Sequence, residues 1–334
     1  MNLQVSSSPH IRDTATSSAL MRDVALALVP AVIASGILFG LRSIVVILVS
    51  VLSCMGFEYL SRRIMKRDNT LADWTAVITG ILLAFNLPPT IPYYMVVIGA
   101  FFAIVVVKQM FGGLGNNFVN PALTARIILS IAFPKAMTNW AFSSGSFDFV
   151  KSISGANLIS ATSKAADAVS SATPLAILKA QGSAGAPDLP SYLSLFLGDK
   201  TGTIGEVCIL ALLIGAIYLV ARKVITLWIP LTYIGTVLLL TGLAGKDPLY
   251  ELLAGGLCLG AFFMATDYVT SPVTRKGRII FGISCGIITS LIRLFGNMAE
   301  GVSYSILLMN ILVPHIDRFT VPKPFGEVKK HEKS

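Results

Sequence analysis

Ten apolar runs, most of them near membrane-spanning length, dominate this sequence. They fall at about 24–41, 44–60, 72–87, 93–111 and 122–133, and again at 204–221, 224–244, 249–265, 279–294 and 302–316. A helix needs roughly 20 apolar residues to cross the hydrocarbon core of a bilayer. There every backbone N–H and C=O must be satisfied within the protein, which leaves helices or a closed barrel. The runs are continuous rather than alternating, so helices are expected. Of 334 residues, 54% are hydrophobic and only 13% charged. That is about half the charge of an average soluble domain, too little to cover a water-soluble core. The expected fold class is an all-α polytopic membrane protein.

The two groups of runs are separated by a hydrophilic interval. Three regions follow: 1–133, a polar tail and a first five-helix half; 134–203, a nearly neutral loop; and 204–334, a second half with a basic tail. The first twenty residues lack the order of a signal peptide. The net charge of +9 reflects topology rather than nucleic-acid affinity, because the basic residues sit in short loops. Cytoplasmic loops carry the excess of Lys and Arg. This places Arg62, Arg63, Lys66, Arg67, Lys108, Arg222, Lys223, Arg275, Lys276, Arg278 and both termini on the cytoplasmic side. The 134–203 loop then lies on the opposite side.

The halves show an internal correspondence. Lys108 precedes Phe111-Gly112 at the end of the fourth run, and Arg293 precedes Phe295-Gly296 at the end of the ninth. The third run ends at Asn86–Pro89, and the eighth at Asp267–Pro272. An offset of five spans reverses direction in the membrane, so the expected layout is a 5+5 inverted repeat, with interrupted segments near the midplane. Cys54, Cys208, Cys258 and Cys285 lie in apolar segments without metal-ligand spacing. They read as core or lipid-facing residues, and His10, His315 and His331 form no cluster.

Within the loop stands Asp167-Ala168-Val169-Ser170-Ser171-Ala172-Thr173-Pro174. Proline biases the preceding residue towards an extended backbone. Thr173 therefore presents its hydroxyl among short side chains, a suitable substrate for a modifying enzyme. The pattern Asp-x-x-Ser-x-Ala-Thr resembles the flavinylation motif of one membrane-protein family. That family comprises the D subunit of the Rnf ion-translocating ferredoxin:NAD+ oxidoreductase (RnfD) and its relative, the B subunit of the Na+-pumping NADH:quinone reductase (NqrB). Ser8-Pro9-His10-Ile11-Arg12 and the connector Gly112–Ala122 extend the likeness over nearly the whole chain. Ser171 departs from it, since many members have glycine there.

The resemblance implies FMN joined by a phosphoester to Thr173, with Asp167, Ser170 and Ala172 read by a flavin transferase. It implies a urea-transporter-like scaffold in the bacterial cytoplasmic membrane. It also implies partner subunits with iron–sulfur clusters and flavins, and electron transfer between ferredoxin and NAD+ coupled to Na+ or H+ export. The chain would be a translocase subunit, inactive alone. Asn116, Asn120 and Arg126 are candidates for a second, non-covalent flavin such as riboflavin, or for capping a broken helix. Glu58, Glu206, Asp267, Arg293 and Glu300 lie in or near spans and are expected to reach the interface individually. The alternatives are the quinone-reductase subunit, a urea-type solute channel without flavin, and a structural subunit with an unmodified loop.

Overall fold

The computed structural model describes residues 16–140, 173–181, 190–198, 200–206, 208–296, 298 and 300–321, and among these residues the structure is helical, without strands. Helix α1 spans Ser17–Phe39, with the Thr16 hydroxyl accepting from the Ala19 N–H. A one-residue turn at Gly40, φ 76°, reverses the chain into α2, Leu41–Ile64. Such a φ favours glycine. The Ser43 hydroxyl donates to the Ser35 and Gly40 carbonyls at this turn. A short 3₁₀ turn at Leu71–Asp73 precedes α3, Thr75–Phe85. At 1.5 Å per residue, α3 is only about 16 Å long, and it ends inside the protein. Helix α4, Tyr93–Phe101, continues as a π-helix over Phe102–Gln109. Helix α5 is Pro121–Ala132, and α6 is the single turn Pro134–Met137.

Between the halves lie α7, Pro174–Gln181, and α8, Tyr192–Leu197. The second half contains α9, Ile209–Ala221, and α10, Trp228–Leu243. The run expected as one span at 249–265 is broken. Helix α11, Pro248–Ala254, stops at Gly255-Gly256, and α12, Leu257–Leu259, runs into a π-helix at Gly260–Met264. Two consecutive glycines punctuate a helix. Helices α13, Arg275–Phe295, and α14, Val302–Thr320, complete the bundle.

Among the described residues, three helices, α1, α2 and α13, are long and apolar enough to cross a membrane. Large apolar side chains such as Leu26, Ile33, Leu48, Leu52, Leu239 and Leu291 are exposed on their surfaces and that of α10. Apolar surface on this scale marks a lipid-facing exterior. Helix α2 packs on α3 and α4, α10 on α11 and α13, α1 on α9, and α5 on α14. At the α1–α9 seam, a Cβ on Gly215 would overlap the Ala27 carbonyl oxygen. Asp23 there accepts from the Tyr218 hydroxyl at 3.2 Å and pairs with Arg222 at 3.1 Å.

The expected span 204–221 is helical only from Ile209. Upstream, the Ile204 N–H donates to the Leu87 carbonyl and the Gly205 N–H to the Phe85 carbonyl, both at 3.0 Å. Irregular backbone from each half thus satisfies the other. Buried backbone groups left unpaired would be costly in an apolar interior.

Candidate functional site

The interrupted segments converge on a buried polar centre. Arg126, on α5, donates to Asn86 Oδ1 at 2.8 Å and to Glu300 Oε2 at 2.9 Å. Glu300 Oε1 accepts the Gly256 N–H at the α11–α12 break. Glu206 Oε1 accepts the Thr203 N–H at 3.1 Å. Lys200 Nζ donates to the Leu253 carbonyl at 2.5 Å. Arg293 Nη1 donates to the Glu251 carbonyl at 2.7 Å and to its Oε2 at 3.0 Å. Glu206 Oε2, Thr203 Oγ1 and Arg293 Nε and Nη2 are buried and lack hydrogen-bond partners among the described residues. A Cβ on Gly256 would lie 2.5 Å from Glu206 Oε2 and 2.7 Å from Glu300 Oε1, so glycine is what lets both carboxylates approach the backbone.

Helix α7 docks onto this centre. Thr173 is its N-cap: the hydroxyl accepts from the Ala176 N–H at 3.3 Å, and the carbonyl accepts from the Ile177 N–H at 3.0 Å. Pro174 follows, at a position where the missing N–H has no cost. Leu175 and Leu178 are buried. A Cβ on Gly255 would meet Leu175 Cδ1 at 2.6 Å and Arg293 Nη2 at 2.9 Å. Lys179 Nζ donates to the carbonyls of Ile292, Gly296 and Met298 at the C-terminal end of α13, where a cation also complements the helix dipole. Asp167, Ser170 and Ala172 lie outside the described residues.

The three candidates for a second flavin are not gathered in one place. Asn116 is exposed in the glycine-rich connector. Asn120 Oδ1 caps α5, accepting from the Ala122 and Leu123 N–H groups, while its Nδ2 reaches the Met264 carbonyl at 3.5 Å. Arg126 serves the polar centre. Asn120 does line a separate, largely apolar cavity between the halves, with Lys108, Asn117, Thr75 and Asp267 contributing polar groups. Asn117 Oδ1 has no partner there among the described residues.

Of the ionisable residues expected to reach the interface singly, Glu58, Arg293 and Glu300 are instead paired inside, whereas Glu206 takes a backbone N–H and Asp267 accepts from the Thr270 hydroxyl at 3.1 Å. Glu58 is fully buried against Lys108, and Arg293 against Glu251. Single-residue reasoning missed Lys200, Glu251 and Lys179. The Gly255-Gly256 doublet was the available signal, because it marks where a helix must open and expose acceptors. All four cysteines are free, and Cys54, Cys258 and Cys285 are buried.

A helical scaffold with an apolar exterior and ion pairs buried where its helices break defines a class, the polytopic membrane proteins. Within that class the likenesses are specific. A family model described as the NQR2, RnfD, RnfE family matches residues 4–326, and the chain belongs to that family. It is 46% identical over 338 residues to the D subunit of the Na(+)-translocating ferredoxin:NAD(+) oxidoreductase complex of Acetobacterium woodii, covering 100% of this chain and 99% of the relative. The D subunit of the proton-translocating ferredoxin:NAD(+) oxidoreductase complex of Clostridium ljungdahlii is 42% identical, with 96% of each chain covered. The D subunit of the ion-translocating oxidoreductase complex of Stutzerimonas stutzeri is 40% identical, with 92% of this chain and 91% of the relative covered.

Proposed function

We propose that the chain is the D subunit of an ion-translocating ferredoxin:NAD+ oxidoreductase complex, a translocase component that carries FMN on Thr173 and works only with its partners. The observation that carries this reading is full-length identity of 46% to a relative of that name, together with a threonine hydroxyl held at a helix N-cap. The relatives' names favour this complex over the quinone reductase. A urea-type channel leaves Thr173 and its motif without a role.

The geometry at Thr173 fits an esterified phosphate. Its Oγ1 sits at the first turn of α7, where unpaired N–H groups and the positive end of the helix dipole favour an anion. Buried Leu175 and Leu178, with the Lys179 anchor, hold that turn against the membrane half. FMN, when bound, supplies a one- or two-electron carrier, and an ester through its phosphate leaves the ring electronics unaltered. Retention on a tether gives a high effective concentration. Asp167, Ser170 and Ala172 would be recognised by a flavin transferase, and the other subunits would supply the iron–sulfur clusters and further flavins.

Asn120 and Asn117 line the cavity between the halves, about 90 Å³ in volume, which would have to widen to admit a non-covalent flavin such as riboflavin. Asn116 and Arg126 have no part in that version of the site. Topology follows the basic residues: both termini in the cytoplasm, the Thr173 loop outside, in the bacterial cytoplasmic membrane. The matched packing of α2 on α3 and α4, and of α10 on α11 and α13, supports a 5+5 inverted repeat built from ten membrane segments. Moving one charge against the membrane potential requires about 2.3 kcal/mol per 100 mV, within reach of modest redox drops. Mass spectrometry of the peptide containing Thr173, from native membranes, tests the central claim. An unmodified peptide overturns it.

A further inference from the structure

Glu206 is the least compensated charge in the buried centre. Only 5% of its surface is exposed. Its Oε1 takes the Thr203 N–H, while its Oε2 takes nothing among the described residues. The cations around it direct their bonds to other groups, with Arg293 Nε and Nη2 left unpartnered among the described residues. Arg126 pairs with Glu300, Arg293 with Glu251, and Lys200 donates to the Leu253 carbonyl. Cys208 and Cys258 complete the titratable groups near Lys200. An unpartnered carboxylate is costly in an apolar interior, so a proton or a bound cation must meet it.

The surroundings suit a hard monovalent cation. Glu206 Oε2 and Glu300 Oε1 converge on the same flank of Gly256, where a Cβ would lie 2.5 and 2.7 Å from them. The buried Thr203 hydroxyl, also without a partner among the described residues, is a third oxygen close by in sequence. Oxygen donors are the ligands such cations prefer. With Lys200, Arg126 and Arg293 set against Glu206, Glu300 and Glu251, the fully ionised cluster has no net charge. Access is present as well. The side chains of Arg126 and Glu300 retain 14% and 18% exposure, so the pair next to Glu206 reaches an opening.

We infer that Glu206 and Glu300, at the Gly255-Gly256 break, form an exchangeable site for a monovalent cation, H+ or Na+, on the coupling-ion path. Helix α7 rests on this break through Leu175, two residues beyond Thr173. The inference adds the ion's location to the function proposed above and rests on it.

The test is carbodiimide labelling of the purified whole complex, read by mass spectrometry of the Glu206 peptide. A protonated carboxyl adds to dicyclohexylcarbodiimide as an N-acylurea. Labelling of Glu206 that falls as pH rises supports a proton site. Labelling that also falls about tenfold in NaCl at ten times the dissociation constant, but not in choline chloride, supports Na+. Glu206→Gln should abolish label on that peptide. A Glu206 unreactive at every pH, or one whose labelling ignores both pH and Na+, overturns the site. The Thr173 peptide from the same digest reports flavin separately. A flavinylated complex with inert Glu206 therefore fails only this inference, and a responsive Glu206 without flavin fails only the cofactor reading.

Discussion

Lys108 Nζ lies 2.7 Å from Glu58 Oε2, and the two side chains are 3% and 0% exposed. Both carboxylate oxygens and two of the three ammonium donors are engaged. Lys108 also donates to the Thr75 hydroxyl at 2.7 Å, and Glu58 Oε1 accepts from the Thr70 hydroxyl at 2.7 Å. Removing one member of a buried pair strands the other and costs about 3–5 kcal/mol, whereas replacing both by apolar groups is far milder. Lys108→Met should therefore lower the thermal unfolding temperature in detergent sharply, and Lys108→Met with Glu58→Leu should recover most of the loss. A single variant as stable as the parent would show that the pair contributes nothing.

Thr173→Val removes both the capping oxygen and the esterification point. Loss of a threonine cap costs about 1 kcal/mol, too little to unfold the chain. The complex should assemble, with in-gel flavin fluorescence absent from this polypeptide. Fluorescence that persists on the Thr173→Val chain would place the flavin elsewhere.

Gly256→Ala puts a methyl 2.5 Å from Glu206 Oε2 and 2.7 Å from Glu300 Oε1. One carboxylate must retreat, at an overpacking cost of about 1–3 kcal/mol. The expected result is a folded complex with ferredoxin-driven ion uptake reduced much more than flavin content. Equal uptake by variant and parent would mean that the approach of the carboxylates to this backbone is immaterial.

Lys179→Met takes away donors to three carbonyls at the end of α13. Leu175 and Leu178 would still hold α7 by burial. Hydrogen exchange should quicken over 174–181 and 292–298 while α1 and α2 stay unchanged. Uniform protection in both segments would show that the lysine is not the anchor.

The apolar runs made the helical membrane character legible, because their length answers directly to bilayer thickness. Asn120 before Pro121 was equally readable as a cap, since side-chain oxygen and ring chemistry dictate it locally. What single runs could not show was pairing across distance. Glu58 and Lys108 are separated by fifty residues, and Arg126 and Glu300 by 174. Glu58 and Glu300 looked like residues that would reach the interface alone, Lys108 like a cytoplasmic loop charge, and Arg126 like a flavin ligand or helix cap. The 249–265 run was read as one span although Gly255-Gly256 stood in it, because hydropathy outweighed the break. Residues 204–206 looked like the start of a helix for the same reason. Their backbone partners, Phe85 and Leu87, lie in the other half.

Gly215 presses so tightly on Ala27 that no side chain fits between α1 and α9. Any axial slip of one helix would drive Leu212 or Leu219 into the space now held by a carbonyl. The junction can act as a pivot but not as a sliding track. Shape changes that accompany turnover must then be small tilts about this point, or local shifts at the breaks, rather than a piston stroke of one half past the other.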